Sequence, residues 1–492
     1  MTLTILLACS ESFGGLDHFP AFTSDDDTGR MDSALGDTGD SQSATGTDTD
    51  TDPDPDPGDT GSDDPDPPED HCDGLTPAMC WVRTHPMVVS GLVPSMGAPP
   101  QGAVDAYFGD FGANTAHLWM TGLPGEVAGW RQYGGNDFRF IAWVMDDGTS
   151  ASNGQVLGGV GAGAPGLVAY QIGDEPADLA ALKAIEVGVD AVRAVDPDAL
   201  VIVNFSVGKP EIEAMFDYYA TDMAGDIVSY DRYSYGYAEY EHMMSVRQAG
   251  LEHGMPYWRY LRSFESKGAT PHWPTESDLR WQVYSGLTYG YTGHHWFVYQ
   301  IGDEHAVEGG LFNSTGTWSG TTDLHDEIAD LNRELVNVGR VITQLTSTDL
   351  RFIPAASVYM PDGHADWSPG AGGDPYLARV QAVGLQSWEF QDLAVGLFED
   401  AEGERYLMVL NGNHEGADWP LWTHDRVTVE LAFDFSGAPG NVDTGRVEVL
   451  NARTGAVNSR TVSGGTVQIE LLAGEAVLMK YATGSPWAGL GG

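Results

Sequence analysis

Short apolar segments alternate with helix-like stretches from residue 87 to residue 345, and this alternation constrains the fold more than any other feature. Eight of the segments are rich in β-branched and aromatic residues, which is typical of buried strands. These segments are residues 87–92, 115–120, 138–145, 166–172, 200–205, 226–231, 257–264 and 294–299. Between them, apolar residues recur three or four positions apart, as in the helix predicted over 178–195. Eight strands alternating with helices over about 260 residues predict an α/β fold, the (β/α)8 or TIM barrel.

The rival α/β architecture is an open, doubly wound sheet. Such a sheet usually has a Gly-rich, phosphate-binding turn after its first strand. Here that turn reads Val-Pro-Ser-Met-Gly over residues 93–97, which lacks the required glycine spacing. The sequence therefore favours the barrel, and we place the barrel domain at residues 72–345.

From about residue 346 onward, apolar and polar residues alternate with period two. Gly-, Asn- and Asp-rich turns separate the resulting short strands, which is typical of antiparallel sheets. The predicted strands are residues 406–411, 427–431, 447–450, 467–471 and 474–481. This pattern predicts a compact C-terminal β-sandwich domain over residues 346–492.

Residues 10–71 are dominated by Asp, Thr, Pro, Gly and Ser, and residues 48–57 read Asp-Thr-Asp-Thr-Asp-Pro-Asp-Pro-Asp-Pro. Such a segment buries too little apolar surface to offset the entropy lost on ordering, and its like charges keep it extended. It lacks the ligand spacing of an EF-hand calcium loop. We therefore expect a disordered, acidic stalk before the barrel.

The first nine residues end in Leu6-Leu7-Ala8-Cys9, which resembles the lipobox of bacterial lipoproteins. The resemblance implies that Cys9 becomes a lipidated N-terminus after cleavage. Residues 1–8 are shorter than a full signal peptide and have no basic region, and a start codon further upstream would explain both departures. The expected location is the cell surface or periplasm, with a lipid anchor in the outer membrane, or the extracellular medium.

The other two cysteines, Cys72 and Cys80, lie close together where the folded region begins. In an oxidising compartment they are expected to close a small disulfide loop. A zinc site is the weaker reading, because no second Cys or His pair follows at zinc spacing.

The charge balance excludes some partners. The chain has 23 Lys and Arg against 72 Asp and Glu, a formal net charge of −49. Such a chain is repelled by nucleic acid and by anionic membrane surfaces, whereas a neutral sugar meets no such repulsion. The acidity has a second explanation, which is that it only maintains solubility. The sequence has no apolar run of membrane-spanning length, and it has no P-loop, nucleophile elbow or zinc motif, so we expect no metal and no cofactor.

In a (β/α)8 barrel the reactive residues lie at the C-terminal ends of the strands. Four of the predicted strands have carboxylates there, represented by Glu175, Asp231, Glu265 and Glu304. Glycoside hydrolysis needs two facing carboxyl groups, one protonated to release the leaving oxygen and one ionised. Glu175 as acid/base and Glu265 as its partner are the predicted catalytic pair.

Alternatives for these carboxylates stay open. Glu175, which precedes Pro176, also suits a structural position at a helix N-terminus. Glu265 also fits a solvated loop. Asp231 is a substitute partner carboxylate, or it forms an ion pair with the adjacent Arg232. Glu304 is a further candidate, because residues 170–175, Tyr-Gln-Ile-Gly-Asp-Glu, recur as residues 299–304.

Asp174-Glu175-Pro176 resembles the Asn-Glu-Pro motif of the clan of retaining (β/α)8 glycoside hydrolases, which includes family 5 cellulases and family 42 β-galactosidases. The resemblance covers residues 87–345 in order and spacing, and residues 279–290 are similar to the clan's approach to its last strand. It implies that Glu175 is the acid/base and that a glutamate after strand seven, here Glu265, is the nucleophile. Asp174 stands where the clan has the Asn that contacts the sugar 2-hydroxyl.

Aromatic and histidine side chains near the predicted strand ends complete the predicted sugar-binding site. Sugar rings stack their C–H faces on aromatic platforms, although aromatic residues also fill barrel interiors. Together with Asp174 and Asp231, the predicted substrate-binding residues are His117, Trp119, Trp143, Tyr230, Tyr233, Trp258, Trp296 and Tyr299.

The sequence thus predicts an extracellular glycoside hydrolase of the retaining type. One alternative is a degenerate hydrolase barrel that binds carbohydrate at the surface without cleaving it. Another is a purely structural or adhesive surface lipoprotein, which the stalk and sandwich suit but which does not require Asp174-Glu175-Pro176.

Overall fold

The computed structural model describes most of the chain after residue 71. The described residues are 72–93, 99, 101–118, 123–135, 138–144, 160–161, 163–266, 274–299, 307–309, 323–354, 360–367, 373–384, 392–414 and 426–490. The predicted lipidation site Cys9, the predicted stalk over 10–71, Trp119 and Glu304 lie outside this part. Among the described residues, no helix is long and apolar enough to cross a membrane.

Eight parallel strands form a closed barrel, in which each strand pairs with the next in chain order and the last pairs with the first. The barrel strands are β1 (Val88–Val93), β2 (Thr115–Leu118), β3 (Phe140–Val144), β4 (Leu167–Asp174), β5 (Val201–Ser206), β6 (Ile227–Asp231), β7 (Tyr257–Arg262) and β9 (Gly293–Phe297). Two short strands, β8 (Phe264–Ser266) and β10 (Val307–Gly309), pair with each other outside the barrel. The predicted (β/α)8 fold is confirmed.

Helices surround the barrel. They are α1 (Pro77–Thr84), α2 (Gln101–Asp105), α3 (Leu123–Gly134), α4 (Leu179–Val195), α5 (Ile212–Thr221), α6 (Tyr237–His253), α7 (Glu276–Tyr289) and α8 (Asp323–Ile342). A π-helical turn, Ala106–Asp110, continues α2.

Local sequence explains why these helices begin and end where they do. Helix α4 begins after Asp178, whose carboxylate accepts a hydrogen bond from the Ala181 amide at 2.8 Å. Helix α7 begins with a reciprocal capping box between Thr275 and Asp278, and it ends at Gly290 in the left-handed conformation. Each cap satisfies backbone groups that the helix end would otherwise leave unpaired.

The barrel interior is filled in layers. At the N-terminal end of the barrel, an apolar layer that includes Ile141, Ile202, Ile227 and Trp258 packs against the side chains of α1. Helix α1 therefore closes the bottom of the barrel. A disulfide between Cys72 and Cys80 ties the start of the described chain to this helix.

Two sheets follow the barrel. They are built from β11 (Thr346–Ile353), β12 (Ala365–Asp366), β13 (Leu377–Val383), β14 (Leu393–Glu399), β15 (Arg405–Asn411), β16 (Arg426–Phe433), β17 (Arg446–Leu450), β18 (Val457–Thr461), β19 (Thr466–Leu472) and β20 (Ala476–Tyr481). The larger sheet has the order β12-β11-β14-β15-β20-β17-β18, and the smaller has the order β13-β16-β19. One apolar cluster contains side chains from both. The sequence predicted purely antiparallel pairing, but β11 pairs with β12 in parallel, so the larger sheet is mixed.

The larger sheet packs directly against the barrel's helices. Met408 and Leu410 of β15 belong to the same buried cluster as Leu287 of α7. The approach is close at Gly396 of β14, where a Cβ atom would overlap the carbonyl oxygen of Thr288. The barrel and the larger sheet thus share one buried cluster, and a second cluster lies between the two sheets.

Candidate active site

Glu175 lies immediately after β4, at the C-terminal end of the barrel, and it is 8% exposed. Its backbone has φ = +45°, a conformation that costs a residue with a side chain about 1–3 kcal/mol. The chain reaches this turn through Gly173, at φ = +89°, where a Cβ atom would come within 2.6 Å of the Ile185 side chain. A non-glycine residue held in this conformation is often part of a functional site.

Neighbouring residues hold the Glu175 backbone in place. The Glu175 amide donates to the Asn204 carbonyl oxygen of β5 at 2.8 Å. The Lys209 ammonium donates to the carbonyl oxygens of Glu175 at 3.2 Å and Pro176 at 3.0 Å. The strained turn is therefore fixed by contacts from the following strand and its loop.

A second buried carboxylate, Asp231, is the last residue of β6, and it lies near Glu175, Asp174 and Tyr233. Asp231 is 3% exposed, and its Oδ1 has no hydrogen-bond partner among the described residues. Burial first, and then the nearby Glu175 and Asp174 carboxylates, raise the pKa of Asp231 well above its usual range.

Asp174 belongs to the same group of acids but has a different environment. Its Oδ1 accepts a hydrogen bond from Asn204 Nδ2 at 2.9 Å, and Ser229 Oγ donates to Asn204 Oδ1 at 3.3 Å. Polar side chains of β4, β5 and β6 therefore form a chain of hydrogen bonds below the carboxyl pair. The predicted ion pair of Asp231 with Arg232 is absent from the described residues.

Glu265 follows the seventh barrel strand, as predicted, but it lies in a short strand of its own. Strand seven was predicted to run to residue 264, but β7 ends at Arg262, and Glu265 belongs to the separate strand β8. Its backbone lies opposite Glu308 of β10 in the register of this two-stranded ribbon. The Glu265 side chain lies outside the described part of the structure.

A polar layer lies inside the barrel beneath the carboxyl pair. The Tyr260 hydroxyl donates to Gln171 Oε1 at 2.7 Å and lies 3.2 Å from His117 Nδ1. Because its one proton goes to Gln171, the His117 nitrogen is the donor to Tyr260. Ser90 Oγ lies 2.6 Å from His295 Nδ1 in the same layer.

Burial keeps these histidines uncharged. It lowers the pKa of His295 to about 3, and burial together with the neighbouring His295 lowers the pKa of His117 well below its usual range. His117 is fully buried, so it supports the floor of the site and offers no surface to a ligand. His294 is also buried, with its pKa lowered by burial and by Arg259.

An aromatic layer forms the upper wall of the barrel. Trp143 of β3, Tyr260 of β7, Phe264 of β8 and Phe297 of β9 share one buried cluster, and Tyr233 packs against it. The Tyr233 ring lies 5.1 Å from the Phe264 ring and 5.6 Å from the Phe297 ring, centroid to centroid. Of the predicted substrate-binding aromatics in the described part, Trp143 and Tyr233 are the two in this layer.

The other four predicted aromatics occupy packing positions instead. Tyr230 donates to Glu239 Oε1 at 2.9 Å, Trp258 to Thr292 Oγ1 at 3.1 Å, and Trp296 to Asn332 Oδ1 at 2.8 Å. Tyr299 stacks edge-on against Tyr107, with ring centroids 4.7 Å apart. All four are fully buried, with Trp258 at the closed end of the barrel and the others facing the helix layer. Their burial leaves no exposed surface for a ligand to contact.

Sequence reasoning missed Asn204 and Lys209 as supports of the Glu175 turn. Asn204 had a detectable signal, since it is a polar residue in the apolar run Val201-Ile202-Val203-Asn204-Phe205. Lys209 had none, because it lies in a loop. Within the described part of the chain, no group of three or more His, Cys, Asp or Glu side chains is arranged to hold a metal ion.

No protein-family model matches the chain, and no curated protein does either. Among solved structures, the fold is similar to a β-galactosidase from Bacillus circulans sp. alkalophilus, with a TM-score of 0.51, 10% identity, and coverage of 82% of this chain and 100% of that one. A glycoside hydrolase family 5 structure from Bacteroides vulgatus ATCC 8482 has a TM-score of 0.49 and 11% identity, covering 81% of this chain and 90% of that one. At 10% identity the likeness to the β-galactosidase structure shows a similar fold and nothing further.

Proposed function

We propose that this protein is a glycoside hydrolase that cleaves an oligo- or polysaccharide. The observation that carries the proposal is the presence of two buried carboxylates, Glu175 and Asp231, at the C-terminal ends of strands β4 and β6 of a closed (β/α)8 barrel. A protonated carboxyl group held there is the general acid that glycosidic bond cleavage requires. The aromatic wall with Trp143 and Tyr233 and the net charge of −49 suit a neutral, ring-shaped substrate.

The proposed mechanism has two steps and retains the anomeric configuration. Glu175 gives its proton to the glycosidic oxygen while the Glu265 carboxylate attacks the anomeric carbon and the C–O bond breaks. Water then attacks the glycosyl–enzyme bond, Glu175 takes its proton, and the Glu265 carboxylate is released. The fixed Glu175 turn favours this role, because an acid must be held within hydrogen-bond reach of the oxygen that it protonates.

The proposal is tested by incubating the full chain with a panel of aryl glycosides and natural oligosaccharides, β-galactosides among them. Proton NMR of the first product reports its anomeric configuration before mutarotation. We expect cleavage of at least one glycoside with the configuration kept. Inversion would contradict Glu265 as nucleophile. Binding without cleavage across the panel would favour the carbohydrate-binding module over the enzyme.

We also propose that the protein works outside the cytoplasm, anchored by a lipid on Cys9. The disulfide between Cys72 and Cys80 supports an oxidising compartment, because such bonds rarely persist in the cytosol. Expressed from a full-length gene in a bacterial host with labelled palmitate, the wild-type chain is expected to incorporate label and sediment with membranes. The Cys9→Ser variant is expected to lose both properties. Equal labelling of the two proteins would exclude the anchor.

A further inference from the structure

The loop between β6 and α6 carries part of the proposed active site. It covers residues 232–236 and begins directly after the last residue of β6. Tyr233 of this loop packs on the aromatic wall, against the Phe264 and Phe297 rings. Two positions later, Tyr235 contacts a different set of neighbours. The contacts that hold Tyr235 therefore also bear on where the Tyr233 ring lies.

The neighbours of Tyr235 come from both halves of the chain. Its ring lies 5.9 Å from the Trp281 ring of α7 and 5.3 Å from the His414 ring, centroid to centroid. The guanidinium carbon of Arg262, at the end of β7, lies 5.6 Å from the centre of the same ring. Because His414 follows β15, the C-terminal sheet supplies one of the side chains that contact this loop.

His414 is also fixed to helix α7. Its ring stacks on that of Trp281, with the centroids 4.5 Å apart and an angle of 29° between the planes. Its Nδ1 lies 2.8 Å from Oδ1 of Asp278, the buried residue of the capping box that begins α7. Because a carboxylate only accepts hydrogen bonds, the histidine nitrogen is the donor. One side chain thus joins the start of α7 to the loop after β6.

The segment that leads to His414 is held against the barrel. The Gly412 amide donates to the Asp392 carbonyl oxygen at 2.8 Å, and the Tyr240 hydroxyl of α6 donates to the Gly412 carbonyl oxygen at 3.3 Å. The same hydroxyl accepts a hydrogen bond from Trp281 Nε1 at 2.8 Å. A Cβ atom on Gly412 would come within 2.6 Å of that hydroxyl, so the absence of a side chain permits this close approach.

The contact lies at the open end of the barrel. A helix that follows a barrel strand begins at the end of the barrel where that strand ends. Asp278 and Trp281 lie in the first two turns of α7, and Tyr235 lies in a loop that follows a strand end. The C-terminal sheet therefore reaches the rim of the proposed active site through His414.

We propose that His414 is a positioning residue of this active site, supplied by the C-terminal sheet. Its ring packs on Tyr235, fixes the loop between β6 and α6, and so fixes the Tyr233 ring that faces the substrate. This inference rests on the proposed hydrolase function. An aromatic wall contacts the sugar both before and during bond cleavage, so its displacement weakens binding and leaves the chemical step unchanged.

The test separates the ring of His414 from its hydrogen bond. His414→Phe keeps a ring against Trp281 and Tyr235 but loses the bond to Asp278, whereas His414→Asn keeps a donor and loses the ring. We expect the KM of a cleaved glycoside to rise about fivefold in His414→Asn and less than about twofold in His414→Phe, with kcat nearly unchanged in both. An unchanged KM in His414→Asn, or an equal rise in both variants, would overturn the proposal.

The matched control is His364→Asn. His364 also belongs to the C-terminal part of the chain and packs against α7, but at its other end. Its Nε2 lies 2.6 Å from the hydroxyl of Tyr289, the last residue of α7, and the two ring centroids are 5.7 Å apart. We expect this variant to melt at a lower temperature and to keep the wild-type KM. A rise in KM equal to that of His414→Asn would show that any loosening of the contact between sheet and barrel has this effect, and would overturn a specific role for His414.

A second readout does not depend on catalysis. Fluorine NMR of a fluorotyrosine incorporated at position 233 is expected to give the same single resonance in the unsubstituted chain, His414→Phe and His364→Asn. His414→Asn is expected to shift this resonance or to add a second one, because the loop then adopts other conformations. An unmoved, single resonance in His414→Asn would overturn the proposal even in an active hydrolase. If the resonance changes as expected but no glycoside is cleaved, His414 still holds the loop, but the hydrolase and the role of His414 in catalysis both fail.

Discussion

Replacing Glu175 with glutamine is expected to lower kcat/KM about 10³-fold on glycosides with poor leaving groups. The amide has the same shape but has no proton to give, so the leaving oxygen would depart as an unfavourable anion. Aryl glycosides whose leaving groups are already stable anions need little protonation, and we expect them to lose far less in the first step. The measurement is kcat/KM for both kinds of substrate on the same preparations.

The control for Glu175 is Glu211→Gln. Glu211 follows β5 and accepts a hydrogen bond from the Leu179 amide at 3.3 Å, so it lies near the same loops without reaching the carboxyl pair. We expect its activity to match the wild type. A loss of less than about tenfold in a folded Glu175→Gln variant, on poor leaving groups, would remove Glu175 as the general acid.

Glu265→Gln is expected to lower activity about 10⁴-fold on every substrate, whatever its leaving group. Removing a nucleophile prevents the covalent intermediate, so activating the leaving group does not compensate. Added azide is expected to restore turnover of the activated substrates by attacking the anomeric carbon, giving a glycosyl azide of inverted configuration. Kinetics with and without azide, with NMR of the product, check this result.

Glu308→Gln is the matched control for the nucleophile, because its backbone lies directly opposite Glu265 in the β8–β10 ribbon. The two variants carry the same substitution, glutamate to glutamine, at facing positions of the same ribbon. Azide rescue in Glu308→Gln and none in Glu265→Gln would transfer the role of nucleophile to Glu308. Equal, small losses in both would place the second carboxylate elsewhere.

The barrel was predictable because of how parallel strands are buried. Both faces of such a strand are covered, so β3 and β6, for example, are buried along their whole length and read as apolar runs. Glycine and helix caps then mark the boundaries, as at Asp178 and Gly290. Glu175 was predictable for the same reason, since a clear strand boundary placed it at the barrel's open end.

Because both faces of each strand are buried, the sequence pattern does not indicate toward which face a side chain points. Tyr230 and Asp231 are adjacent, so they point to opposite faces of β6, one toward the helices and one toward the barrel axis. With both faces apolar, the sequence offers no alternation that distinguishes them, and Tyr230 was predicted to contact substrate. The end of strand seven was misplaced for another reason. Strand β8, which contains Glu265, pairs with residues 307–309, about forty positions away, and local pattern does not encode that pairing.

The close approach at Gly396 bears on how such a chain can diversify. Because the sheet rests against the carbonyl oxygen of Thr288 with no room for a side chain, barrel and sheet fit only as a matched pair. Exchange of the C-terminal module with that of another protein, by recombination or by engineering, would bring a foreign surface against α7 and break the shared core. We therefore expect a change at this contact in the C-terminal half of the chain to require a matching change in α7.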